Sequence, residues 1–183
     1  MDFRNVEAIR QQCYEIHAFG LGFIQIKLTP QSRLHLYTSA VRVTTEPEDV
    51  HDHRYGFTST ILQGAITNDI FHVDPGGKDF TISEVTCKPG ESGEDRPLFN
   101  CGVTYLGSFT MTEGSIYTLA ADTYHRVHAL EGTVTFLRRD DPFKEFARVA
   151  RQKDQALVCP FSANVFSEDE LWSIYEKAVR GGF

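Results

Sequence analysis

The chain has 183 residues, of which 41% are hydrophobic and 12% are aromatic, a composition that fits one globular domain over residues 1–183 and excludes a disordered chain. Its net charge of −7 argues against a nucleic-acid-binding surface, and no run of about 18 apolar residues is present to form a transmembrane helix. The N-terminus lacks the apolar segment of a secretory signal, so the sequence predicts a cytoplasmic protein. Its cysteines are then free thiols: Cys13, Cys87, Cys101 and Cys159.

The first predicted element is a helix over residues 5–19. Asn5 or Asp2 can cap its start, and Gly20 is a plausible stop. The apolar residues at helical spacing are Val6, Ile9, Cys13 and Ile16. We take residues 1–20 as an N-terminal helical segment.

Residues 21–140 have the pattern of short β-strands separated by turns. In the segment 33–43, Leu34 and Leu36 fall on one face, and Arg33, His35 and Tyr37 on the other. The pattern predicts a hairpin around Gln63-Gly64, a turn at 74–77 and a long exposed loop over residues 88–97. Many short strands of this kind indicate a closed barrel or a double-sheet antiparallel fold.

The last part of the chain, residues 141–183, is predicted to be a helical extension. Residues 141–152 fit a short helix. A second helix follows Ser167, where Ser167 and Glu170 have the spacing of a capping box.

The seven histidines are unevenly placed. His51 and His53 are two residues apart, so in a strand both imidazoles point to one face and can share a cation. His125, which follows Gly114 after a strand-turn-strand pattern, is the best candidate for a third ligand. An HxH pair alone is more often structural, so the prediction depends on all three residues. His128 lies three residues after His125, so in a regular strand it faces the opposite side. We interpret three other histidines as surface or structural residues: His17, His35 and His72.

Two segments resemble the paired motifs of the cupin superfamily. HDHRYGFTSTILQG, residues 51–64, is similar to the first motif, and GSIYTLAADTYH, residues 114–125, is similar to the second. The resemblance covers roughly residues 30–140. It implies a mainly β fold, the cupin double-stranded β-helix or jelly-roll barrel, with the N-terminal and C-terminal helices added to it. It also implies one divalent transition metal held by His51, His53 and His125.

The first motif lacks the glutamate that most cupins use as a ligand, since Phe57 and Thr58 occupy its positions. In this respect the chain resembles the cysteine dioxygenase-like thiol dioxygenases, in which three histidines hold Fe(II). Those enzymes carry a Ser-His-Tyr set on a later strand, and the matching residues here are Thr135, Leu137 and Arg139. The metal ligands therefore match that family better than the substrate residues do.

The sequence leaves three functions open. The first is a non-haem Fe(II) dioxygenase that uses O₂ and acts on a small polar substrate, for which a thiol is one candidate. The second is a cupin with Zn, Ni or Mn that performs non-redox chemistry such as isomerisation or hydrolysis, and the third is a ligand-binding cupin without catalysis. No catalytic acid or base is assigned, and the family's habit of pairing through a sheet face leaves a homodimer open.

Several residues are candidates for the environment of the metal. Asp52 and Asp122 could orient the imidazoles, although strand parity turns Asp52 away from the inner wall. The candidate substrate-binding residues are Tyr55, Arg33, Tyr37, Gln25 and Arg139. For each of them the alternative is an ordinary core or surface side chain.

Overall fold

The structure is a computed structural model that describes residues 2–42, 50–86, 94–140, 144–153, 155 and 166–181. Within these ranges the chain is mainly β, as predicted. The helices are α1 (Val6–Gln12) and α2 (Glu168–Val179), and a short 3-10 helix spans Ser39–Val41. The strands are β1 (Glu15–Phe19), β2 (Phe23–Lys27), β3 (Ser32–Tyr37), β4 (Val50–His51), β5 (Phe57–Gln63), β6 (Ala65–Asp74), β7 (Phe80–Thr86), β8 (Glu94–Thr112), β9 (Ile116–Leu119), β10 (Tyr124–Ala129), β11 (Thr133–Arg139) and β12 (Ala147–Gln152). No helix of the described residues has the length and apolar character needed to cross a membrane.

The strands form two antiparallel sheets. The first has the order β1-β2-β3-β11-β5-β9. The second has the order β10-β4-β12-β7-β8-β6 and closes on itself, because β6 also pairs with β10. Two antiparallel sheets are consistent with a cupin-like β-sandwich.

The outer face of the first sheet packs against the two helices. Leu34 and Leu36 of β3 are completely buried there, as the alternation of the sequence predicted. They belong to a cluster with Leu171, Trp172 and Tyr175 of α2. The hydroxyl of Tyr175 donates to the carbonyl of Phe3, which ties the C-terminal helix to the N-terminal segment.

The inner face of the same sheet is unusually polar for a buried surface. Gln25, Arg33 and His35 are each less than 9% exposed, although none of them is apolar. Thr135 pairs with His35 in register on the neighbouring strand β11 and is also buried. The sheet therefore separates an apolar layer on the helix side from a polar layer on the interior side.

Both predicted helix starts are confirmed. The side chain of Asn5 accepts a hydrogen bond from the amide of Ala8, which caps α1. Ser167 and Glu170 form the capping box of α2, since each side chain accepts a backbone amide hydrogen bond from the other residue.

Two predicted helices are wrong in part. The helix predicted over residues 5–19 ends at Gln12, and residues 15–19 form β1, paired along its whole length with β2. Residues 147–152, expected in a short helix, form β12 between β4 and β7. In both segments strand pairing and burial outweigh a local sequence that suits a helix. The C-terminal extension is therefore not purely helical.

The hairpin predicted around Gly64 is also wrong, because β5 lies in the first sheet and β6 in the second. Gly64 instead makes the crossing between sheets at a φ of +79°, and a Cβ there would lie 3.0 Å from the Cα of Thr133. The turn at 74–77 is present, with the amide of Gly77 donating to the carbonyl of Asp74 at 3.2 Å. Residues 94–97 of the predicted loop belong to β8, and residues 88–93 lie outside the described residues.

Of the four cysteines, Cys13 and Cys101 are free thiols. Cys87 and Cys159 lie outside the described residues.

We expect Gly64→Ala to lower the free energy of unfolding by about 2–5 kcal/mol. Two effects contribute to this loss: the strain of a non-glycine residue at a positive φ, and a clash of the new Cβ with Thr133. Gly114→Ala is the matched control, because its φ is +83° but a Cβ would meet nothing within 4 Å. This control should lose only about 1–2 kcal/mol. Urea unfolding of both variants measures the difference, and equal losses would show that the crossing at Gly64 is not sterically constrained.

Candidate metal centre

Two histidines of one short segment and a third from strand β10 meet at the inner side of the second sheet. One ligand nitrogen of each residue lies within 4.8 Å of the others in the cluster of His51, His53 and His125. The Nε2 atoms of His53 and His125 approach to 2.8 Å, and the ring centroids of His51 and His125 are 4.7 Å apart. The three imidazoles could therefore hold one metal ion.

A buried carboxylate fixes the segment that carries the first two histidines. Asp52, between them, is completely buried and points to the opposite side. Its oxygens accept hydrogen bonds from Nζ of Lys144 at 2.5 Å, and from the amide and Nε of Arg148 at 2.7 Å each. The amide of His53 donates to the carbonyl of Ala121 at 3.1 Å. Because the backbone is held on both sides, the imidazoles of His51 and His53 face the interior together.

Asn68 on β6 orients the third imidazole. Its Oδ1 lies 2.9 Å from Nδ1 of His125, and both side chains are buried. An amide oxygen can only accept, so Nδ1 carries the proton and Nε2 keeps its lone pair for a cation. In metal-binding histidines, a hydrogen bond to the ring nitrogen that does not bind the metal fixes the tautomer in the same way.

The electrostatics of the cluster keep two of its imidazoles, those of His53 and His125, neutral. Burial, followed by the neighbouring His51, holds the pKa of His125 well below its usual value. The pKa of His53 is lowered well below its usual value by burial first, and then by His51 and His125. Neutral imidazoles are the form that binds metals, so this environment suits a cation site.

A cavity of about 300 Å³ lies next to the three histidines. Aromatic and apolar side chains form much of its wall, including Phe23, Phe57, Tyr117 and Leu137.

Phe57, at one of the positions where most cupins have the glutamate, places its ring edge-on to His53, with centroids 5.0 Å apart. Thr58, at the other position, bonds to Thr118. Among the described residues, the metal-binding cluster contains no carboxylate.

His35 adds a polar group to the lining of this cavity. The amide Nε2 of Gln25 lies 3.0 Å from Nε2 of His35, and because the amide nitrogen only donates, Nδ1 of His35 carries the proton. Burial, with Arg33 nearby, lowers the pKa of His35 to about 3. His35 and Thr135 both line the cavity, so the wall offers a neutral imidazole and a hydroxyl.

The candidate substrate residues occupy three different places. Tyr37 lines the cavity. So do Thr135 and Leu137, which occupy the sequence positions where thiol dioxygenases have the serine and the histidine of their Ser-His-Tyr set. Gln25 contacts His35 rather than the cavity. In the described part of the chain, Arg33, Tyr55 and Arg139 lie outside the cavity lining and form a cluster of their own, with both guanidinium groups against the Tyr55 ring.

Sequence reasoning missed two residues of the site. Asn68 belongs to a strand that carries no recognisable motif, and only the pairing of β6 with β10 brings it to His125. His35 was interpreted as structural, although it shares the inner face with Arg33 and Tyr37, and that alternation was the available signal. Of the two aspartates expected near the imidazoles, Asp52 bonds to Lys144 and Arg148, and Asp122 is exposed.

The donor set fits a divalent transition metal. Three neutral imidazoles leave the full positive charge on the ion and leave positions open for exogenous ligands, an arrangement that Fe, Zn, Ni and Mn can all accept. The tautomer fixed by Asn68 and the neutral state of His53 and His125 agree with such an ion. The donor set alone does not select one metal.

No protein-family model matches the sequence, and no protein with curated functional information matches it either. Among solved structures, the chain is similar to hydroquinone 1,2-dioxygenase from Sphingomonas sp. TTNP3 with 4-hydroxybenzoate bound. The identity is 9%, the TM-score is 0.30, and the similarity covers 69% of this chain. The chain spans 65% of the length of that structure.

We expect Asn68→Leu to weaken metal binding by about 10- to 100-fold, because His125 would lose the acceptor that fixes its tautomer. Competition between the purified protein and a chelator for Co(II) measures the affinity. Asn100→Leu is the control, since Asn100 is an exposed amide on β8 that bonds only to Thr81 in the described structure. An unchanged affinity in a folded Asn68→Leu protein would contradict the role of Asn68.

Proposed function

We propose that this protein is a non-haem Fe(II) dioxygenase that acts on a small polar substrate, with thiols among the candidate substrates. The observation that carries the proposal is the cluster of His51, His53 and His125 beside a cavity, without a carboxylate among the described residues of the cluster. The resemblance of the two sequence motifs to three-histidine thiol dioxygenases supports Fe(II) over other metals.

The protein's own contribution would be to hold and orient. His51, His53 and His125 would bind the metal through neutral nitrogens, with Asn68 fixing one ring and Asp52 anchoring the segment of the other two. Fe(II) bound there would supply the redox chemistry with O₂. The protein would supply a fixed geometry and a partly apolar cavity around it.

The cavity sets the size and polarity of the substrate. A volume of about 300 Å³ is at the lower end of the range for small-molecule sites. Phe23, Phe57 and Leu137 would exclude water from the apolar part of the substrate, while His35 and Thr135 would meet its polar group. The proton on Nδ1 of His35 makes this side chain a donor, so we propose that it hydrogen-bonds to an acceptor atom of the substrate.

A second candidate is non-redox chemistry with Zn, Ni or Mn, such as isomerisation or hydrolysis. It is favoured by Leu137 and Arg139, which stand at positions where the thiol dioxygenases have histidine and tyrosine. Leu137 is apolar and lines the cavity, so it cannot take over a hydrogen bond to substrate or oxygen. A cupin that binds a small ligand without turnover is the third candidate.

We expect Fe(II)-loaded protein, purified without oxygen, to consume O₂ rapidly when a thiol substrate is added. The panel holds cysteine and 3-mercaptopropionate, with serine and 3-hydroxypropionate as matched compounds that lack the thiol. An oxygen electrode gives the rate. His125→Ala should reduce uptake to the rate without protein, because a metal ligand is lost, whereas His72→Ala, an exposed residue on β6, should not.

The outcomes separate the candidates. Uptake that His125→Ala leaves unchanged would rule out the proposed dioxygenase site. Turnover under nitrogen with Zn, Ni or Mn would establish the non-redox function. A compound that raises the melting temperature without turnover in either assay would favour the binding function, because ligands that bind only the folded state stabilise it.

A further inference from the structure

Two arginines on the inner face of the first sheet have no ion-pair partner among the described residues. Arg33 of β3 is only 8% exposed, and its Nε is buried without a hydrogen-bond partner. Arg139 of β11 is half-buried. A guanidinium group stays charged at any physiological pH, and a buried charge without a counter-charge is strongly unfavourable.

The two side chains are arranged to act together. Arg33 pairs in register with Leu137, and Arg139 is two residues further along the same strand, so the arginines are diagonal neighbours on one face. Such neighbours lie about 7–8 Å apart. Both guanidinium carbons pack against the ring of Tyr55, at 5.5 Å for Arg33 and 5.3 Å for Arg139. One half-buried ring therefore positions two cations.

The charged neighbours of this cluster do not neutralise it. Lys27 faces Arg33 across the β2–β3 pair and adds a further positive charge. Glu15 is the acid that acts on Arg33, since Lys27 and Arg33 both contribute to lowering its pKa, but its carboxylate is bonded to Lys27. The carboxylate of Glu15 therefore forms an ion pair with Lys27, and the charges of the two arginines are not balanced by an ion pair among the described residues.

We infer that Arg33, Arg139 and Tyr55 form a binding site for a small oxyanion of the carboxylate, sulfate or phosphate class. Paired guanidinium groups bind such anions through parallel, charge-assisted N–H···O bonds. The anion would supply the counter-charge that the described residues lack. The site lies outside the lining of the metal cavity, and it does not depend on the proposed dioxygenase activity.

The test is a titration of the purified protein with sodium acetate, sulfate and phosphate at constant ionic strength, with sodium chloride as the reference salt. We expect at least one oxyanion to bind saturably by calorimetry and to raise the melting temperature above the chloride value. Arg33→Met and Arg139→Met should each weaken that binding by about tenfold or more. Arg138→Met, an exposed arginine on the opposite face of the same strand, should change it less than twofold.

A second readout distinguishes an anion site from a structural arginine. Because a buried unpaired charge is removed, Arg33→Met should unfold in chloride at the same temperature as the wild type or higher. Oxyanion binding should also persist in His125→Ala, which separates it from anion binding at a metal. Absence of saturable binding for all three anions would overturn the site, as would loss of binding in His125→Ala or an equal effect of Arg138→Met. Arg139→Met keeps the test valid if Arg33→Met does not fold.

Discussion

The alternation of the first sheet between an apolar and a polar face is the constraint on which the other features depend. Leu34 and Leu36 point toward the helices, and burial of each contributes about 1.5–3 kcal/mol to folding. Because the apolar face supplies this stabilisation, the opposite face can bury polar side chains such as Gln25 and His35. A one-residue shift of β3 would exchange the two layers and place leucine against the cavity beside the three histidines.

The second sheet carries the candidate metal ligands, and their geometry depends on ionic contacts away from the cavity. Asp52 has no exposed surface and bonds to Lys144 and Arg148, both of which follow strand β11 in the sequence. Burying these charges carries a desolvation cost, so the cluster contributes a fixed geometry more than it contributes net stability. The C-terminal part of the chain is thereby a structural part of the candidate metal centre.

Local patterns predicted much of the fold and of the candidate site. Strand parity grouped His51 with His53, and the alternation of β3 separated its two faces, because both depend on residues two positions apart. The pattern could not show β12, whose sequence suits a helix and whose strand conformation depends on pairing with β4 and β7. Asn68 was missed for a similar reason, since its contact with His125 spans 57 residues of sequence.

The shortest strand of the fold has a consequence for how the second sheet stays closed. In the described residues, β4 joins β10 through one residue pair, His51 with His125, and both members of that pair belong to the metal cluster. A cation bound by both imidazoles would therefore link β4 to β10 at the strand pair with the fewest residue pairs in the closed sheet. Metal affinity and closure of the sheet would then be thermodynamically linked, so that loss of the ion would loosen the architecture as well as the chemistry.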